Sequence, residues 1–137
     1  MLTTNISDIL KFLKNYFGLY NKLDDDLKDN CYFGELNKEM HLKNGQLNKN
    51  YFVDFNLKNA CLEFNGTYWH ADPRKYKKDD IIKDILAETI WENDMIKQNF
   101  IKQNYKLLVI WEDDYNNDKD KIINDCVEFI MRNIKDE

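Results

Sequence analysis

Tyr51-Phe52-Val53-Asp54-Phe55-Asn56-Leu57, a Lys58-Asn59 turn and Ala60-Cys61-Leu62-Glu63-Phe64-Asn65 read together as a β-hairpin. Both runs are rich in the aromatic and apolar residues that suit a pleated, half-buried surface. Alternation puts Glu63 and Asn65 on one face of the second strand, and Leu62 and Phe64 on the other. On the first strand Asp54 lies between Val53 and Phe55, both expected in the core. Asp54 and Glu63 can therefore meet across the two strands. Two carboxylates held together among Phe and Leu repel each other unless a cation lies between them. A hard, oxygen-lined site of this kind suits Mg2+, which takes one or two carboxylates and completes its shell with water and substrate phosphate. The plainer alternative leaves one or both acids pointing to solvent from an open sheet face.

The chain then turns at Gly66 and presents Thr67-Tyr68-Trp69-His70, with one of only two histidines. His70 comes seven residues after Glu63, close enough to activate a water beside a metal. Tyr68 and Trp69 either stack on or wedge between bases, or they are core, the commoner fate of aromatics. Arg74-Lys75-Tyr76-Lys77-Lys78 follows: a phosphate-contacting edge or a solvated loop. Further on, Asp94 shares a helical row with Ile90, Lys97 and Ile101. A carboxylate there could hold His70 in one tautomer, or it is a surface charge beside Lys97.

The flanking segments give the architecture. Residues 6 to 20 place Ile9, Phe12, Leu13, Tyr16, Phe17 and Tyr20 at helical spacing, with Ser7 or Asn5 as the cap. Asp24-Asp25-Asp26 reads as the solvated head of a loop or short helix. An early strand is expected over Lys38 to Leu42, before a Lys43-Asn44-Gly45 turn. Ile82, Ile85, Leu86, Ile90, Ile96 and Phe100 fit one long helix from Asp80 to Gln103. The apolar run from Tyr105 to Trp111 reads as a strand buried on both faces. Ile122, Ile123, Cys126, Val127, Phe129, Ile130 and Ile134 make a closing amphipathic helix. The order α-β-β-β-α-β-α is that of an α/β sandwich with a mixed sheet.

Composition sets the bounds. The 137 residues are one domain's worth, so residues 1–137 are expected to form a single domain. With 43% hydrophobic residues, including eight Phe and eight Tyr, the chain is not a disordered polymer. It has no apolar run long enough to span a bilayer and no opening signal segment, which predicts an intracellular protein without a membrane partner. Cys31, Cys61 and Cys126 share no metal-binding spacing and read as free thiols. The net charge of −5 sits awkwardly with nucleic acid, although bound cations repay active-site carboxylates.

Asp54-Phe55, Glu63-Phe64-Asn65-Gly66-Thr67-Tyr68-Trp69-His70, Asp94 and the strand ending in Ile110-Trp111-Glu112 together resemble the very-short-patch-repair-like endonucleases. That group includes the EDxHD homing endonucleases, a branch of the PD-(D/E)XK nuclease superfamily. The resemblance covers roughly residues 35 to 115. It implies a restriction-endonuclease-like sandwich and a Mg2+-dependent DNA endonuclease, of homing or mismatch-nicking type, with Mn2+ able to substitute. It implies that Asp54, the backbone near Phe64 and the Glu63 side chain hold the metal, with His70 as general base and Asp94 as its partner. Asn65 stands where the wider superfamily has lysine, so a cationic stabiliser is missing and the histidine takes over part of its work. The family's first acid lies upstream, at Glu39 or Glu35, with Glu39 favoured because Lys38 to Leu42 feeds the sheet. His41 is assigned a structural role. No specificity module is visible. The loops around Tyr68 to Lys78, a partner protein or another domain would supply it.

Two other readings compete. A non-catalytic nucleic-acid-binding or interaction module on the same fold would be expected to lose charges that are costly to bury. A small structural metal protein would need Cys/His ligand pairs that the sequence lacks.

Overall fold

The computed structural model describes residues 6–34, 36 and 38–134, of which 6–13 as backbone alone. Its elements run α1 (Ile6–Asn21), α2 (Asp25–Lys28), β1 (Cys31–Phe33), β2 (Met40–Asn44), β3 (Lys49–Val53), β4 (Phe55–Leu57) and β5 (Ala60–Asn65). These are followed by β6 (Ile81–Ile82), β7 (Ile85–Leu86), α3 (Ala87–Lys102), β8 (Lys106–Trp111), α4 (Glu112–Asn117) and α5 (Lys119–Ile134). The main sheet has the order β1-β4-β5-β8. β4 is antiparallel to β1 and β5, while β8 lies parallel to β5, so the sheet is mixed.

Helices flank it on both faces. On one side Tyr16 and Leu19 of α1, with Ile123, Cys126, Ile130 and Ile134 of α5, pack on Phe33, Phe55, Leu57, Leu62 and Phe64. On the other, Val53 and Cys61 meet Ile101 of α3, with Met40, Leu42, Tyr105 and Leu107 around them. Phe55 is fully buried and packs against both Tyr16 (5.6 Å) and Phe33 (5.8 Å), which also meet each other at 6.3 Å. Phe55→Ala should therefore cost about 3–5 kcal/mol, measured as a lower urea midpoint with unchanged slope. A cost below 1 kcal/mol would mean that the ring stack is not the centre of the core.

The predicted β4–β5 hairpin forms with its Lys58-Asn59 turn, but the first strand is broken at Asp54. Residues 49–53 pair with β2 as a separate two-stranded ribbon, and only residues 55–57 join the main sheet. The bend at Asp54 is where the chain changes partners. The early strand begins at Met40 rather than Lys38, and Asn44 still belongs to it. β1 was not anticipated.

The long helix starts at Ala87, and Ile82, Ile85 and Leu86 lie on a short hairpin instead. Lys83 (φ 50°) and Asp84 (φ 67°) both adopt left-handed backbone, as a two-residue type I′ turn demands. β8 is half-exposed at the sheet edge rather than buried on both faces, with Ile110 its one buried residue. The acidic residues after it form the unanticipated α4.

Other expectations can be placed directly. Ser7 lies inside α1 and cannot be its cap, and Asn5 falls outside the described residues, as do the side chains of Ile9, Phe12 and Leu13. Asp25 and Asp26 open the short helix α2. His41 is exposed, stacked on Phe52 at 5.0 Å, with Nε2 2.8 Å from Asn50 Oδ1. All three cysteines are buried, and burial pushes each thiol up to about 12. Such thiols are unreactive. Among the described residues no helix is long and apolar enough to cross a membrane.

Candidate active site

The bend at Asp54 turns its carboxylate back onto β5. Asp54 Oδ2 accepts the Phe64 backbone N–H at 2.8 Å, and the Asp54 N–H donates to Glu63 Oε2 at 3.4 Å. The two acids thus meet, as strand alternation predicted. Glu63 is 5% exposed, and its Oε1 lies 2.6 Å from Lys97 Nζ. Burial, followed by the repulsion of Glu63, holds the Asp54 carboxyl well above the ordinary carboxylate range. Glu39 is half-buried and shifted upward by burial and by Glu63, with Lys97 opposing. The same electrostatic neighbourhood therefore reaches Glu39, whereas Glu35 falls outside the described residues. For Lys97, burial works against its charge, but Glu63 and then Asp54 outweigh it and raise the ammonium's pKa.

His70 is positioned by a loop tied down at several points. The His70 N–H donates to Gly66 O, the Ala71 N–H to Tyr68 O, and the Asp72 N–H to Thr67 O. Thr67 donates its N–H to Glu112 Oε1 and its hydroxyl to Asp113 Oδ1, which anchors the loop to α4. Trp91 Nε1 donates to the carbonyl of Ala71, a residue in left-handed backbone (φ 47°). His70 Nδ1 then lies 2.9 Å from Asp94 Oδ2. A carboxylate that accepts from the ring makes Nδ1 the donor, which in the neutral imidazole leaves Nε2 as an acceptor. Asp94 is thus the partner of His70 rather than an isolated surface charge.

A cavity of about 150 Å³ is lined by Asp54, Glu63, Phe64, Asn65, His70, Asp94, Lys97 and Gln98. Asn65 is 5% exposed and projects from the end of β5, where it registers with Trp111. Among the described residues no cluster of three or more His, Cys, Asp or Glu could enclose a metal ion. Three carboxylates line the cavity: Asp54 and Glu63 lie together, while Asp94 is engaged by His70.

Lys97 was legible only as a neighbour of Asp94. Its place three residues further along a helix, on the same face, was the available signal. What sequence could not give was the packing of α3 over β5, which carries that ammonium to Glu63.

The other expected residues lie on the flank. Tyr68 is 45% exposed and Trp69 half-buried, their rings edge to face at 5.0 Å. Lys83 sits 4.9 Å above the Trp69 ring. Arg74 holds the fully buried Asp72 through two bonds, of 3.1 and 2.9 Å, and also reaches Asp114. Lys75 pairs with Asp113 at 2.7 Å. Arg74 and Lys75 therefore spend their charge within the protein, while Lys77 and Lys78 are exposed and, among the described residues, form no ion pair.

No protein-family model, curated protein or solved structure matches the chain.

Proposed function

We propose that this chain is a Mg2+-dependent DNA endonuclease of the very-short-patch-repair-like kind that its sequence resembles. The observation that supports it best is the placement of the His70–Asp94 pair on the same small cavity as Asp54, Glu63 and Lys97. A proton acceptor with a fixed tautomer and a pair of converging carboxylates are the parts that phosphodiester hydrolysis needs.

The donor set fits a hard cation: two carboxylates beside the Phe64 backbone, on a cavity open to a phosphate. Asp54 and Glu63 would hold it. Bound there, the ion would stabilise negative charge on the phosphoryl oxygens. His70 Nε2 takes the proton of the attacking water, and the water oxygen bonds to phosphorus as the bond to the leaving oxygen breaks. Asp94 steadies the imidazolium that results. Lys97 pairs with Glu63 and supplies, from α3, positive charge that Asn65 does not bring to the end of β5. Asn65 contributes a neutral amide to the cavity wall.

Incubating supercoiled plasmid with the protein and Mg2+ or Mn2+, then separating nicked from linear product, tests the reading. Metal-dependent conversion is expected. An inert protein that still binds DNA would instead make the chain a non-catalytic module. Lys97→Gln should leave Glu63 buried without its partner and cost about 3–5 kcal/mol of stability. Unchanged thermal unfolding in that variant would show that Glu63 does not depend on Lys97.

A further inference from the structure

We infer that duplex DNA docks in the groove between the β2–β3 turn and the C-terminal half of α3, on the far side of α3 from His70. This deepens the nuclease reading and rests on it. The acidic residues of the chain are unevenly spread. Residues 40–53 and 95–111 contain Lys43, Lys49, Lys97, Lys102 and Lys106 and no Asp or Glu, in a chain of net charge −5. β2, β3, the end of α3 and β8 bring these two segments together. Lys43, Lys49 and Lys102 are exposed and, among the described residues, form no ion pair. They contrast with Arg74 and Lys75, whose charge is already paired.

Between the segments lies a cavity of about 680 Å³. Gln46 on the turn and Asn99 and Gln103 on α3 line it, and all three are exposed. Its floor is apolar: Ile96 and Phe100, the latter ring 5.6 Å from Tyr51. Asn44 lines it too, but its Oδ1 accepts the Leu47 N–H and so holds the turn. No charged side chain is among the lining residues. Primary amides offer a donor and an acceptor together, the pattern that reads adenine in the major groove, and apolar groups meet the thymine methyl.

Exposed lysines near a neutral groove of amides and apolar side chains fit a phosphate-flanked base edge. An acidic peptide would want the positive charge within the groove itself. The groove and the candidate site use opposite faces of α3: Lys97 and Gln98 line the one cavity, Ile96, Asn99 and Phe100 the other.

The test is anisotropy of a labelled DNA duplex, titrated with the full chain in EDTA over a series of salt concentrations. Substituting Lys43, Lys49 and Lys102 together by Gln should flatten the slope of log K against log salt by up to about 2.7, at roughly 0.9 per contact. Lys77→Gln with Lys78→Gln should change the slope much less. Replacing Gln46, Asn99 and Gln103 together by Ala should weaken binding at least about tenfold with the slope intact. A wild-type slope in the triple lysine variant, or a triple alanine variant that binds as wild type does, would overturn the inference. So would a wild-type chain that binds no duplex. Binding that follows the expected pattern in a protein that cuts no plasmid would instead overturn the nuclease reading and leave the docking surface standing.

Discussion

Asp54→Asn is expected to abolish plasmid cleavage while raising the melting temperature of the metal-free protein. The amide is nearly the size of the carboxyl. Its oxygen can still accept the Phe64 N–H, and its NH2 can donate to Glu63 Oε2, where the wild type sets two acids against each other. Each kcal/mol so relieved is worth about 3–5 °C in a domain of this size.

The effect has a pH signature. Burial and Glu63 raise the Asp54 pKa in the folded chain, whereas unfolding returns it to about 3.9. The stability contributed by this group is therefore fully present below about pH 4 and is lost as pH climbs through the raised native value. The wild type should lose stability across that window and the Asn variant should not. Their stability curves should converge in acid and separate above it. Added Mg2+ should stabilise the wild type and leave the variant unmoved. Parallel pH curves, or equal Mg2+ affinity by calorimetry, would remove Asp54 from the site.

His70→Ala should lower the cleavage rate by about 10²–10⁴-fold, the usual scale of general-base help, with duplex and metal binding retained. His70 is partly exposed, its side chain at 34%, so the truncation opens no sealed core. Asp94→Asn should fall in the same range for a different reason. The amide can turn its NH2 toward Nδ1, which favours the tautomer with the proton on Nε2 and removes the acceptor. Rates for both variants should become less dependent on pH than the wild-type rate. Near wild-type cleavage by His70→Ala between pH 6 and 8 would reduce the pair to a structural tie between the loop and α3.

Much of the site was legible along the chain because its key pairings are local. Asp54 and Glu63 face each other across a hairpin closed by two residues, and period-two alternation alone aims Glu63 away from Leu62 and Phe64. The α1 and α5 stripes were readable for the same kind of reason, since a 3.6-residue repeat belongs to the segment itself. Asp94 was legible as a border residue of its helix and as a candidate partner of His70, and the fold brings the two to 2.9 Å.

What the linear pattern could not carry was decided between elements. A run such as Tyr51 to Leu57 looks like one strand, and only competition between two sheets breaks it at Asp54. Ile82, Ile85 and Leu86 satisfy helical spacing as well as they satisfy a hairpin, and the left-handed Lys83-Asp84 pair resolves the choice without the Asn-Gly signal that usually marks such a turn. The apolar run of β8 suggested two covered faces, but its place at the sheet edge leaves it half-exposed. Charge was the least legible quantity. Arg74 and Lys75 looked free in sequence, yet folding sets them against Asp72, Asp113 and Asp114, while Lys97, read only as a neighbour of Asp94, arrives on Glu63. Hydrophobic period is a property of neighbours in sequence, whereas the partner of a charge is chosen by packing across tens of residues.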